Sequence, residues 1–213
     1  MKNTLVAALL LLASISATSA QAQSPVPVAG KDYIEIPGGT PLVPVEGKIV
    51  IEEFFNYICP ACNQLEPQLV AWTAQLPPYA KLQYVPATFR EDFAIYARAY
   101  YAAEALNLVD KTHAAVFEAI HRSHQLPAEG QKPDPERIAK FYAKYGVEEK
   151  DFLAMMKSFA VDAKVRRASD YMKRVKLEGT PSLVVNGRYM VTGSSFTNML
   201  DIAKYLVEKE HKQ

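Results

Sequence analysis

Ile49-Val50-Ile51-Glu52-Glu53-Phe54-Phe55-Asn56-Tyr57-Ile58-Cys59-Pro60-Ala61-Cys62 is the stretch that decides the fold. Lys48 to Phe55 reads as a strand. Ile49, Val50, Ile51, Phe54 and Phe55 make a near-continuous apolar run, which suits a strand buried on both faces. The chain then enters the cysteine pair, and a helix from about Pro60 to Gln75 follows. Pro60 belongs in its first turn, where no N–H is needed, and Pro67 should kink the helix or mark a break. The first cysteine therefore sits where a strand ends and a helix begins. A helix N-terminus offers unpaired N–H groups and the positive end of the macrodipole, and both favour an anionic sulfur. The thiolate is the nucleophile. Cys62 lies one turn on, within reach of Cys59 and less exposed. The pair can carry thiol–disulfide exchange: a substrate thiolate attacks at Cys59, a mixed disulfide forms, and a second thiol releases it.

These are the two cysteines of the chain. A structural bridge usually closes a longer loop, because that removes more entropy from the unfolded chain. A bridge across two residues constrains little, so the spacing suits chemistry better than stapling. A structural zinc site would want four ligands. His121 and His124, with His113 further back, would make an unusual set, and partial exposure on a helical surface is the favoured reading of all three. No metal and no cofactor are expected.

Outward from the motif, Lys81 to Phe89 reads as a second strand whose far end Pro86 weakens. Tyr33 to Ile36 suits a short edge strand within a Pro- and Gly-rich segment. Residues 91–177 change character. Phe93, Tyr96, Ala97, Tyr100 and Ala103 follow helical spacing, as do Val116, Phe117 and Ile120. Asp134 can cap a helix that has Pro135 in its first position and ends at Gly146. One further helix should carry Phe152, Met155, Met156 and Phe159, and another Val161, Val165, Ala168, Met172 and Val175. Strands return at Ser182 to Val185 and Arg188 to Thr192, around the tight-turn pair Asn186-Gly187. An amphipathic helix with Phe196, Met199, Leu200, Ala203, Tyr205 and Leu206 closes the chain.

Met1-Lys2-Asn3, the apolar run from Leu5 to Ile15 and the small residues of Ala20-Gln21-Ala22 follow the order of a secretory signal peptide. An uncleaved anchor is the other reading, but the run is short against the roughly 20 residues a span needs. The mature chain should start near Gln23 and be soluble. With 49% hydrophobic and 22% charged residues and a formal charge of +1, the composition is that of a globular protein. It gives no support for nucleic acid as a partner.

Far downstream, Gly179-Thr180-Pro181-Ser182 leads into Leu183-Val184-Val185. With the strand, Cys-Pro-x-Cys, helix start and the Asn-Gly hairpin, this resembles the thioredoxin superfamily. With the leader and the helical insertion it resembles the DsbA family of periplasmic disulfide oxidoreductases, from about Gly47 to Tyr205. The resemblance implies an α/β, thioredoxin-like fold with a helical-domain insertion. Its parts are a signal peptide at 1–22, thioredoxin-like segments at 23–90 and 178–213, and an insertion at 91–177. It implies that Pro181 is cis and faces the cysteines, with Pro60, Ala61 and Thr180 supporting the site. An extended substrate strand would be received beside Pro181.

Glu53, six residues before Cys59, falls among apolar neighbours. A buried carboxyl has a raised pKa and can move protons to a nearby sulfur. The family carries an acid there, which assigns Glu53 to proton transfer with Cys62, with Glu52 as the alternative. Ile58 and Ala61 should border the exposed sulfur, while Phe54, Phe55, Tyr57, Met155 and Met156 are assigned to packing. Two residues depart from the best-known oxidases. Ala61 stands where they have His, which predicts a higher Cys59 pKa and a less oxidising couple. Thr180 stands where they have Val; the resemblance places Thr there in related disulfide isomerases and reductases.

The leading expectation is introduction of disulfides into reduced, exported proteins in the periplasm. Reoxidation would come from a quinone-linked, DsbB-type membrane oxidase, and a monomer suffices. A reductase or isomerase of the same fold, a non-catalytic thioredoxin-fold chaperone and a glutathione-binding transferase are the rivals.

Overall fold

The computed structural model describes residues 26–213, so the leader read at 1–22 and its cleavage near Ala22 lie outside the described residues. In chain order the elements are β1 (Tyr33–Glu35), β2 (Ile49–Phe55), α1 (Pro60–Thr73), β3 (Ala80–Pro86), α2 (Glu91–Ala105), α3 (Val109–His121), α4 (Pro135–Ala143), α5 (Glu149–Met156), α6 (Phe159–Arg174), β4 (Ser182–Val185), β5 (Tyr189–Val191) and α7 (Phe196–His211). The five strands form one sheet in the order β1-β5-β4-β2-β3. β2 pairs parallel with β3 and antiparallel with β4, and the remaining pairs are antiparallel.

The apolar run of β2 is explained by this placement. The strand is covered on both faces, and Val50 through Phe55 are buried. Ile51 packs with Leu65 and Leu69 of α1 and with Leu200, Ala203 and Leu206 of α7. Phe54 points the other way and stacks on Tyr171 of α6, ring centroids 5.6 Å apart. Five helices, α2 to α6, lie between β3 and β4 in the chain and share one apolar core with the sheet. Among the described residues no helix is long and apolar enough to cross a membrane.

The Asn-Gly turn forms as its residues demand, with Asn186 and Gly187 both at positive φ (53° and 66°). Gly187 also meets a close approach: a Cβ there would lie 2.1 Å from the carbonyl carbon of Thr40. The 39–41 loop is thereby seated on the hairpin. Asp134 caps α4 by accepting from the Arg137 N–H, with Pro135 in first position. The helix ends at Ala143, and Gly146, at φ 92°, turns the chain three residues later.

Three local expectations need correction. Pro67 does not break α1, which runs from Pro60 to Thr73. Pro67 is exposed, and the helix continues through it with the loss of the one N–H that would have bonded the Asn63 carbonyl. Phe152, Met155, Met156 and Phe159 do not share one helix. α5 stops at Met156, and Ser158 starts α6 by accepting from the Val161 N–H. Phe159 is consequently 81% exposed rather than core. His113 is not half exposed but buried at 5%, because it lies on the apolar face of α3 with Val116, Phe117 and Ile120. His121 is half-buried and His124 exposed.

Candidate active site

The turn between β2 and α1 is held by a buried asparagine. Asn56 Nδ2 donates to the carbonyls of Ala87 (3.0 Å) and Phe93 (3.1 Å), and its Oδ1 accepts from the Ile58 N–H. The Asn56 carbonyl accepts from the Cys59 N–H at 3.0 Å. Every polar atom of that side chain is used, so the loop is fixed just ahead of the cysteine. Sequence reasoning missed Asn56. A lone amide after an apolar strand, at its turn into a helix, was the available signal.

Cys59 is the N-cap of α1. It has extended backbone (φ −77°, ψ 116°), Pro60 follows in the first turn, and its Sγ accepts from the Cys62 N–H at 3.4 Å. Both cysteines are free thiols. Cys59 is 7% exposed and Cys62 wholly buried. Ala61 is half-buried at the start of the helix, whereas Ile58, expected at the rim, is buried. The antiparallel pairing of Phe54 with Ser182 carries the end of β4 to the same place. The Thr180–Pro181 peptide bond there is cis. The Cys59 thiol donates to the Thr180 carbonyl at 3.4 Å.

The two sulfurs differ in acidity for identifiable reasons. A hydrogen bond from the Cys62 thiol lowers the Cys59 pKa to about 6. Thr180 and the backbone N–H groups of Cys62 and Ala61 help, against the opposing effect of burial. Cys62 is pushed far up, first by burial and then by giving its hydrogen to Cys59, with a smaller push whenever Glu53 is ionised.

Both candidate acids are buried, on opposite faces of β2. Glu53 stands across from Tyr84 of β3 and Leu183 of β4, on the side of α1 and the cysteines. Burial raises its pKa well above the usual carboxylate range, and Glu66 and Cys59 add to the effect. Glu52 faces α6. It accepts from the Leu42 N–H (2.6 Å) and from the Tyr171 hydroxyl, and burial lifts its pKa to about 7. This places Glu52 away from the sulfurs. The histidines have other partners: His113 Nδ1 meets the Tyr57 hydroxyl (2.9 Å), His121 Nε2 the Tyr57 carbonyl (2.8 Å), and His124 Nδ1 the Ile120 carbonyl (3.2 Å). Among the described residues no group of three or more His, Cys, Asp or Glu converges as a metal site would.

An acidic sulfur close to the surface backed by a wholly buried, reluctant one is what exchange chemistry uses: one attacks and is attacked, the other closes or opens the bridge. On this sheet that arrangement makes the chain a thiol–disulfide oxidoreductase of thioredoxin-like fold. Residues 50–203 match the DSBA-like thioredoxin domain, and the chain belongs to that family. It is 34% identical over 213 residues to the thiol:disulfide interchange protein DsbA of Pseudomonas aeruginosa, covering 99% of this chain and 97% of that one. With its counterpart from Burkholderia cepacia it shares 33% over 196 residues, 92% of this chain and 90% of the relative. The crystal structure of oxidoreductase DsbA from Xylella fastidiosa superposes with a TM-score of 0.84 at 41% identity, over 88% of this chain and all of that one.

Proposed function

We propose that this protein introduces disulfide bonds into reduced, exported proteins in the periplasm, with Cys59–Cys62 as the disulfide it donates. The observation that carries the reading is the unequal pair: Cys59 at the helix N-cap with its pKa lowered to about 6, above a wholly buried Cys62. A low thiolate pKa stabilises the reduced enzyme and therefore makes its disulfide a better oxidant. A substrate thiolate attacks Cys59 Sγ, and the electron pair of the broken S–S bond goes to Cys62. The second substrate thiol then displaces Cys59. Glu53 is the proton donor to Cys62, and the backbone beside Thr180 and cis-Pro181 receives the substrate as an added strand. A quinone-linked membrane oxidase of the DsbB type restores the disulfide, and a leader cleaved near Ala22 directs export.

Alkylating periplasmic extracts and reading the gel shift tests the direction of flow. Mostly oxidised cysteines support the donor reading. Mostly reduced cysteines favour a reductase or isomerase of the same fold, which Ala61 and Thr180 keep as the second reading. Full activity in Cys59→Ser would remove both in favour of a chaperone.

A further inference from the structure

Beneath the cysteines lies a set of polar side chains that disulfide exchange alone does not use. Glu66 sits on α1 one turn past Cys62, buried on the stripe that carries Leu65 and Leu69. Its Oε1 accepts from the Tyr84 hydroxyl at 3.1 Å. Its Oε2 lies 3.5 Å from Nε2 of His113, and these two atoms, otherwise unpartnered, face each other. His113 Nδ1 meets the Tyr57 hydroxyl at 2.9 Å. The imidazole is boxed by Phe55, Tyr57, Tyr84, Tyr100 and Phe117, with ring centroids between 4.1 and 6.1 Å away.

With the Tyr57 hydroxyl donating to Nδ1, Nε2 carries the ring hydrogen on the side of Glu66, within ion-pair distance but without closing a hydrogen bond, and the Tyr84 hydroxyl is the hydrogen-bond donor to that carboxylate. A donated hydrogen bond and a nearby N–H both favour the charged form of a carboxylate. Glu53 is the neighbour that feels that charge. It stands opposite Tyr84 in the β2–β3 ladder, and its own Oε2 has no hydrogen-bond partner.

We propose that Glu66, fastened by Tyr84 and by the His113–Tyr57 pair, is a positioning residue for the redox chemistry: its charge keeps Glu53 protonated, so that a proton stands ready for Cys62 when the disulfide opens. The inference rests on the reading of Cys59–Cys62 given above and names what sets the state of its acid. A substrate thiolate attacks Cys59 Sγ, the S–S bond breaks, and Cys62 Sγ takes the electron pair and the carboxyl proton of Glu53. The second substrate thiol ionises, attacks its partner sulfur and releases Cys59 as thiolate. Of the two protons given up by the substrate thiols, one restores Glu53 and one enters solvent. The substrate loses two electrons and the enzyme gains two. The Coulomb effect of Glu66 on Glu53, second after burial, has the required sign.

The test follows the protonated carboxyl of Glu53 by its infrared C=O stretch in the disulfide form, assigned by its loss in Glu53→Gln. In Glu66→Gln the band should titrate about one pH unit lower or more, a tenfold loss of proton occupancy at fixed pH. The alkaline limb of the rate at which a dithiol reduces the enzyme should move with it. His113→Phe keeps the packing and should shift both in the same direction by less. His113→Gln, which keeps an N–H toward Glu66, should restore them, and His113→Phe should add nothing to Glu66→Gln. A band and rate profile unmoved in folded Glu66→Gln would overturn the proposal. If that variant does not fold, Tyr84→Phe removes one donor and decides by the same two readings. Persistence of exchange activity in Cys59→Ser would instead sink the underlying reading, while the carboxyl titration would still stand or fall alone.

Discussion

The Cys59 thiol reaches the carbonyl oxygen of Thr180 across 3.4 Å, joining residues 121 positions apart in the chain. The contact fixes the reactive sulfur against the start of β4, where a substrate strand would pair. Thr180 also helps to lower the Cys59 pKa through its side chain, since a hydroxyl can turn its hydrogen toward the thiolate. Thr180→Val keeps the backbone contact and removes that donor. We expect the Cys59 pKa to rise by up to about one unit, and the reduction potential to fall because the reduced form loses stabilisation. Thiolate absorbance against pH, with equilibration against glutathione, measures both; a pKa that stayed or fell would refute the assignment.

Reduced protein should depend on pH in a way the oxidised protein does not. The Cys59 pKa is depressed on folding, from an ordinary thiol value near 9 to about 6. A depressed acid contributes stability that is present above the unfolded pKa and lost as pH falls through the folded one. The dithiol form should therefore gain stability from pH 6 to pH 9, on the order of a few kcal/mol, relative to the disulfide form, in which no thiol titrates. Denaturant unfolding of both forms across that window checks it, and parallel curves would count against the lowered pKa.

Much of this was legible in the sequence, and for local reasons. A strand buried on both faces, a Cys-x-x-Cys opening a helix, a Pro-capped helix at Asp134 and an Asn-Gly hairpin each declare themselves within a few residues. What stayed hidden depends on contacts between distant segments. Glu66 shares a buried stripe with Cys62, and His113 shares one with Val116, Phe117 and Ile120. Each reads alone as a polar residue at a helical position, and their meeting at 3.5 Å needs α1 and α3 to be packed. Glu52 and Glu53 were told apart by the family pattern and not by their neighbours. The structure separates them because adjacent strand residues point to opposite faces. The break between Met156 and Phe159 was missed because apolar spacing runs on across the Lys157-Ser158 turn.

Glu52 makes a second pH-sensitive element. It ties the loop at Leu42 and the helix at Tyr171 to the central strand, and burial raises its pKa to about 7. For an acid raised on folding, the native state binds more protons, so stability falls as pH rises from about 4.5 to about 7 and then levels. Glu52→Gln can still accept from Leu42 and donate to the Tyr171 oxygen. It should match the wild type near pH 5 and exceed it near pH 8, by at most about 3 kcal/mol. Equal pH dependence of the two proteins would show that Glu52 is not the titrating group.

Phe55 tests how far the redox site leans on the helical block. It is wholly buried, and its ring touches Tyr57, Tyr84, Tyr100, His113 and Phe117 at centroid distances of 4.9 to 6.1 Å. Phe55→Ala should cost roughly 3–5 kcal/mol by removing a large apolar side chain and leaving a cavity. Phe55→Leu should cost less, and unfolding in denaturant gives both values. A loss below about 1 kcal/mol for the alanine variant would mean that the aromatic cluster collapses onto the gap.

Ala61 limits how acidic Cys59 can become. It stands beside the Cys59 sulfur and lends it a backbone N–H, but its methyl group can neither donate a hydrogen bond nor carry charge. A histidine there, when protonated, would place a positive charge next to the thiolate and favour it over the thiol. Strongly oxidising members of the family reach a cysteine pKa of roughly 3.5 and a potential of roughly −120 mV. Cys59 at about 6 is less acidic, which predicts a lower potential for this protein. Ala61→His should lower the Cys59 pKa by at least about one unit and raise the potential, with faster oxidation of a reduced peptide under equal conditions. Glutathione equilibria of the two proteins decide it. A wild-type potential already equal to that of the strongest oxidants would show that Ala61 does not limit the couple, and attention would pass to the N-terminus of α1 as the source of oxidising power.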